Sequence, residues 1–140
     1  MLRFAIAAAF GLLLQNAASA ADTLPPLACE FKAGSAWTYD AGKFKSTTPS
    51  PLSFDIESID LDAQSATIEM GTGEKGGTLR VIRAINANHF LEVVNEGFLN
   101  LTTVYDKDPV TGLRPAVHSR HFGILGTPVF SQYTGTCREK

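Results

Sequence analysis

Basic clusters are missing from this chain. Its 12 Lys+Arg and 14 Asp+Glu are scattered, which argues against nucleic acid or anionic lipid as a partner. Long apolar runs are also scarce. After the first twenty residues none occurs, so no membrane-spanning helix is expected and the remaining chain should be soluble. Helical periodicity is lacking too: beyond residue 20 no stretch keeps it for ten residues, which excludes a helical domain. No G-x-S-x-G elbow occurs, so the hydrolase chemistry built on that turn is not indicated. Cysteine is limited to Cys29 and Cys137, and histidine to His89, His118 and His121 with no H-x-H pair, leaving little material for a metal centre.

The N-terminus has its own character. Met1-Leu2-Arg3 carries one positive charge, Phe4 to Leu14 is an apolar run of 11 residues, and Ala18-Ser19-Ala20 is an A-x-A cleavage site. This is the layout of a secretory signal, expected to be cleaved after Ala20. Removing Arg3 leaves 11 Lys+Arg against 14 Asp+Glu, a net charge near −3. Export implies a periplasmic or secreted protein in an oxidising compartment. There, two cysteines near the ends of the cleaved chain are expected to pair, Cys29 with Cys137. In the chain-entropy model a loop that long gains about 4–5 kcal/mol. Leu27-Ala28-Cys29 has a slight look of a lipoprotein cleavage box. Pro26 stands where such boxes usually carry Leu, however, and a lipid on Cys29 would strand Cys137.

Residues 21–34 are expected to form an extended leader, since Pro25-Pro26 cannot begin regular pairing. From residue 35 to 140 short bursts of alternating apolar and polar residues recur, with turn punctuation every eight to twelve residues. That spacing predicts one all-β domain. Trp37 and Tyr39 alternate with polar neighbours before a tight turn at Asp40-Ala41-Gly42. Leu52, Phe54 and Ile56 form an inward row whose phase slips at Ser58, the mark of a bulge. Ala66, Ile68 and Met70 form another. Gly71 to Gly77 is a glycine-rich turn, and Thr78 to Ile85 the return strand. His89 to Val94 pairs with Phe98 to Asp106 across Asn95-Glu96-Gly97. Ala116 to Phe122 and Val129 to Thr134 complete eight or nine strands. An antiparallel meander whose termini are tied by a disulfide is expected to close into a small barrel, which removes its edges. A two-sheet sandwich is the alternative.

The stretch Pro115-Ala-Val-His-Ser-Arg-His-Phe-Gly123 holds two of the three histidines. On a strand, residues 118 and 121 point to opposite faces, so one regular strand cannot bring both to a single metal. His118 and Arg120 share a face, with Phe122 next along. Together they offer an anion- or ligand-binding pair. The simpler expectation is a cross-strand ion pair with Glu92 or Asp106. Ser119 points away from His118, and Asp60 and Asp62 read as turn residues, so nucleophilic or paired-carboxylate catalysis has little support. Asn100-Leu101-Thr102 matches the N-glycosylation pattern, but inside a strand, where it is taken as chance.

Two resemblances add to this. Gly71-Thr72-Gly73-Glu74-Lys75 resembles the inhibitory loop of small periplasmic inhibitors of C-type lysozyme, which are disulfide-bonded barrels of similar size. The resemblance implies that Lys75 would pair with an acidic catalytic residue of a lysozyme and that Thr72 would donate a hydrogen bond. It covers about five residues, and Gly76 and Met70 stand where that family has tyrosine and serine. The stretches at 89–93, 99–105 and 116–121 resemble small exported bacterial proteins of unassigned function, a likeness that brings no activity. The expectation is therefore a non-enzymatic exported barrel, without cofactor or metal, that binds a small molecule or an envelope protein. A lysozyme inhibitor is the alternative and a small hydrolase the third reading.

Overall fold

The structure is a computed structural model that describes residues 22–71, 73, 75–94, 97–122 and 126–140, with Lys75 placed by its backbone alone. The segment expected to be a secretory signal lies outside these residues. Among the described residues nine strands follow in chain order: β1 (Leu27–Asp40), β2 (Lys43–Thr47), β3 (Leu52–Asp60), β4 (Ser65–Met70), β5 (Lys75–Arg83), β6 (Ala87–Val94), β7 (Phe98–Tyr105), β8 (Arg114–Phe122) and β9 (Val129–Glu139). They form one antiparallel sheet in the order β2-β1-β3-β4-β5-β6-β7-β8-β9, and a further β1–β9 pairing closes it. The result is an eight-stranded barrel with β2 as an added strand. Closure settles the choice between barrel and sandwich, because β1 and β9 pair along nearly their whole lengths, from Leu27↔Glu139 to Thr38↔Val129.

The expected leader ends sooner than its prolines suggested. Pro25-Pro26 do stand outside the ladder, but Leu27, Cys29 and Phe31 already alternate with Ala28, Glu30 and Lys32, and the first three are buried. Strand β1 is the longest in the molecule, with 14 residues. Its lower half pairs with β3 and its upper half with β2, both on the same edge. β2 and β3 thus act as one strand interrupted at residues 48–51. A bulge between Phe31 and Ala33 separates the two halves of β1. Gly135 makes this crowding tolerable, since a Cβ there would overlap the Glu30 carbonyl.

The other local features follow from residue chemistry. Asp40-Ala41-Gly42-Lys43 turns through positive φ at both Ala41 (48°) and Gly42 (82°), the geometry that matches strand twist. Ser58 has φ 51°, and the β3–β4 register shifts between Glu57 and Asp60, so the phase slip is a bulge. Asp60 Oδ1 accepts the Ala63 N–H at 2.7 Å, which holds the next turn. Strand β5 starts at Lys75 rather than at Thr78, with Lys75 opposite Glu69. Strand β9 runs through Cys137 to Glu139 rather than stopping at Thr134.

Inward rows fill the lower barrel with apolar side chains: Leu27, Phe31, Phe54, Ile56, Ile59, Ala66, Leu79, Val81, Phe90, Val104 and Ala116. Cys29 and Cys137 are direct cross-strand partners 4.0 Å apart at Cα, and they form a disulfide inside this core. Because it joins the first barrel strand to the last, the bridge fastens the seam of the barrel. The C-terminal Lys140 adds a second clasp, its Nζ reaching Asp55 at 2.7 Å and Glu57 at 2.6 Å on β3. Those two carboxylates raise the Lys140 pKa above its ordinary value.

Candidate functional site

Antiparallel order puts the β1–β2, β4–β5, β6–β7 and β8–β9 connections at one end of the barrel, here called the mouth. The interior is not uniform along its axis. Three register rows on β6, β7 and β8 show the change. Low in the barrel, Val104 pairs with Ala116, both buried and apolar. One step up, Phe90, Thr102 and His118 lie side by side. The next step reads Glu92, Asn100 and Arg120, and the step at the rim reads Val94, Phe98 and Phe122.

His118 sits at the boundary between core and mouth. It is 3% exposed, and its ring lies 5.5 Å from Phe31, 5.2 Å from Phe54 and 6.0 Å from Tyr133, centroid to centroid. Its Nδ1 is hydrogen-bonded to Thr102 Oγ1 at 2.9 Å. Burial, and secondarily the positive charge of Arg120, push its pKa down to about 4. The imidazole is therefore neutral at ordinary pH. The expected His118–Arg120 pair thus presents one cation, Arg120, and among the described residues the expected ion pair from this face to Glu92 or Asp106 does not form. The reason is positional: residue 118 projects into the middle of the barrel, where packing among aromatic rings is available and water is not.

Above His118 lies a cavity of about 190 Å³. Its floor is Phe54 and His118. One wall, from β3, β4 and β5, is apolar: Leu52, Ile68, Met70 and the backbone at Gly76. The opposite wall, from β6, β7 and β8, is polar: Glu92, Asn100 and Arg120. Asn100 Nδ2 donates to Glu92 Oε2 at 2.7 Å, while Asn100 Oδ1 is buried without a hydrogen-bond partner among the described residues. Burying an acceptor unpaired is costly, which sets this wall apart from a fully satisfied polar network. The Arg120 guanidinium lies 5.1 Å over the Phe122 ring, and the ring of Phe98 packs edge-on against Phe122 at 4.8 Å.

The glycines around the turn shape this cavity. A Cβ at Gly76 would collide with Ile68, whose carbonyl oxygen would be 2.8 Å away, and one at Gly77 would come within 2.8 Å of Glu92 Oε1. Gly76-Gly77 thus lets β5 run close against β4 and leaves room for the Glu92 carboxylate. This is a packing role. Of the two residues assigned to an inhibitory loop, Thr72 lies outside the described residues and Lys75 opens β5.

The remaining polar features separate cleanly. His121 faces outward, as the odd spacing from His118 requires, and its ring is stacked with Phe130 at 6.4 Å beside Trp37. His89 also faces outward and bonds Thr103 Oγ1 at 2.9 Å. The three histidines therefore do not converge, and among the described residues no cluster of three His, Cys, Asp or Glu could hold a metal ion. Asn100 faces the interior and is engaged with Glu92, consistent with its glycosylation pattern being fortuitous. Sequence reasoning found His118 and Arg120 and named Glu92 as a cross-strand neighbour, but missed Asn100 between them. The alternation Glu92/Val94 and Phe98/Asn100 placed both on the inward face, and a polar residue on an otherwise inward face was the signal available. Compared with known proteins, the chain matches no family model and no curated protein, so the functional reading rests on this geometry.

Proposed function

We propose that the protein is an exported, non-enzymatic barrel that holds a small organic molecule in its mouth cavity. The observation that carries this reading is the two-sided cavity above His118, apolar on β3–β5 and polar on β6–β8, with Asn100 Oδ1 buried and unpaired. A ligand with an apolar body and a polar head satisfies both walls, which is the usual make-up of small-molecule sites. Binding is favoured over catalysis because the imidazole at the floor is locked by packing and has a pKa near 4, far from that of a useful general base at neutral pH. Export to the periplasm or medium is supported by the three-part N-terminal segment and by a disulfide that seals the barrel seam.

The test is titration of the oxidised protein with an apolar fluorescent probe, 1-N-phenylnaphthylamine. Saturable enhancement that is lost in Met70→Trp, with the fold intact by circular dichroism, is the expected result. Met70 lines the cavity yet is 40% exposed, so a larger ring there fills the mouth without entering the core. Undiminished enhancement in Met70→Trp would place the probe elsewhere and remove the reading.

A further inference from the structure

We infer that the cavity is built for a small zwitterion with an apolar side chain, an amino acid carrying free ammonium and carboxylate groups; this rests on the cavity reading above. Three adjacent strands place Glu92, Asn100 and Arg120 in one register row. Neighbouring strands lie about 4.8 Å apart, so an anionic and a cationic side chain start roughly 10 Å apart with Asn100 midway. Among the described residues neither charge is compensated: Glu92 is in no ion pair, and neither is Arg120. Glu92 receives one hydrogen bond, from Asn100 Nδ2, and its carboxylate keeps further acceptor sites beside the cavity. A carboxylate on one side calls for a ligand with several N–H donors. A guanidinium on the other side calls for a carboxylate, which it can take with two parallel bonds.

The dimensions agree with an α-amino acid. Its ammonium and carboxylate are about 3 Å apart, and with a charge-assisted bond of about 2.8 Å at each end it spans roughly 8–9 Å between the groups that hold it, a gap that long side chains rooted two strands apart can set. Its side chain then meets Leu52, Phe54, Ile68 and Met70 on the facing wall. The cavity volume of about 190 Å³ is below the roughly 300–1,000 Å³ of sites for drug-sized ligands, which favours a small occupant. Gly77 contributes by leaving space where the Glu92 carboxylate lies.

The experiment compares L-leucine, L-methionine and L-phenylalanine with N-acetyl-L-leucine, which lacks the ammonium, and L-leucinamide, which lacks the carboxylate. Calorimetry on the oxidised protein, with displacement of bound 1-N-phenylnaphthylamine as a second readout, gives the affinities. The expected result is that at least one free amino acid binds and that, with leucine as reference, each truncated analogue binds at least about 10-fold more weakly, as for loss of a charge-assisted bond in a buried site. Arg120→Met should abolish the difference between leucine and leucinamide, and Glu92→Gln should reduce that between leucine and N-acetyl-leucine. Probe binding without displacement by any amino acid, or equal binding of leucine and both analogues, overturns the zwitterion and leaves the cavity reading standing. Failure of the probe itself to bind removes both.

Discussion

The two halves of the barrel interior differ in what they are for. Toward the base, the inward positions are mostly apolar or part of the disulfide, with Asn88 and Arg114 as polar exceptions near the end, and the largest side chains there, Phe31, Phe90, Leu27 and Ile56, are essentially inaccessible. Toward the mouth, the same alternation on β6, β7 and β8 yields Glu92, Asn100 and Arg120, and the facing wall leaves a cavity. The strands are continuous across both halves, so backbone pairing does not explain the change. The side chains do: one segment of each strand contributes to stability, the next gives up packing for a polar row beside a cavity. A chain selected for stability alone would fill the mouth with Val and Leu. His118, neutral and fixed between aromatic rings, forms the partition.

The contrast can be broken most severely at the seam. Replacing Cys29 and Cys137 together by alanine should cost about 2–5 kcal/mol, because the bridge closes a loop of sequence separation 108. Urea unfolding of the double variant against the oxidised parent measures it, and a change below 1 kcal/mol would mean that strand pairing alone seals the barrel. Next in size is a matched pair of truncations. Phe90→Ala, at 1% exposure in the base, should cost about 3–5 kcal/mol. Met70→Ala, in the mouth, should cost less than about 1 kcal/mol while weakening probe binding. Similar losses at both sites would show that the mouth is core after all.

The partition itself can be examined by pH. The unfolded chain protonates its imidazole near 6.5 and the native one only near 4, so the unfolded state binds more protons in that window. The stability associated with neutral His118 is complete above pH 6.5 and is lost as the pH falls toward 4. The loss amounts to about 3 kcal/mol. The difference between parent and His118→Phe stability curves isolates this from the carboxylates. Parallel curves would mean that the imidazole is hydrated. The smallest effect is expected at the outer turn. Gly42→Ala meets no neighbour within 4 Å but forces a side chain into φ 82°, for a cost of about 1 kcal/mol by thermal unfolding.

Much of this architecture was legible in the residues. Period-two alternation found the β class, the Ser58 bulge and the opposed facing of His118 and His121, and the two cysteines near the chain's ends indicated a seam. Two boundaries were hidden. Pro25-Pro26 drew attention away from the alternation of Leu27, Cys29 and Phe31, which is already strand. Gly76-Gly77 looked like turn because glycine is common in turns, whereas their role is to let β5 approach β4 and Glu92. The cavity was less accessible still. Placing Glu92 beside Asn100 and Arg120 requires the β6–β7–β8 register, and the vacancy opposite them depends on where β4 ends. Neither quantity is encoded in any local pattern.

The central claim is that the mouth, and not the base or the outer aromatic surface, receives a ligand. Methyl-resolved NMR of the oxidised protein during titration with 1-N-phenylnaphthylamine tests it directly. The account predicts saturable shifts at the methyl groups of Leu52, Ile68 and Met70, with Leu27, Ile56 and Val81 unmoved. Shifts confined to the surroundings of Trp37, Phe44 and Phe130 on the outer face would contradict it.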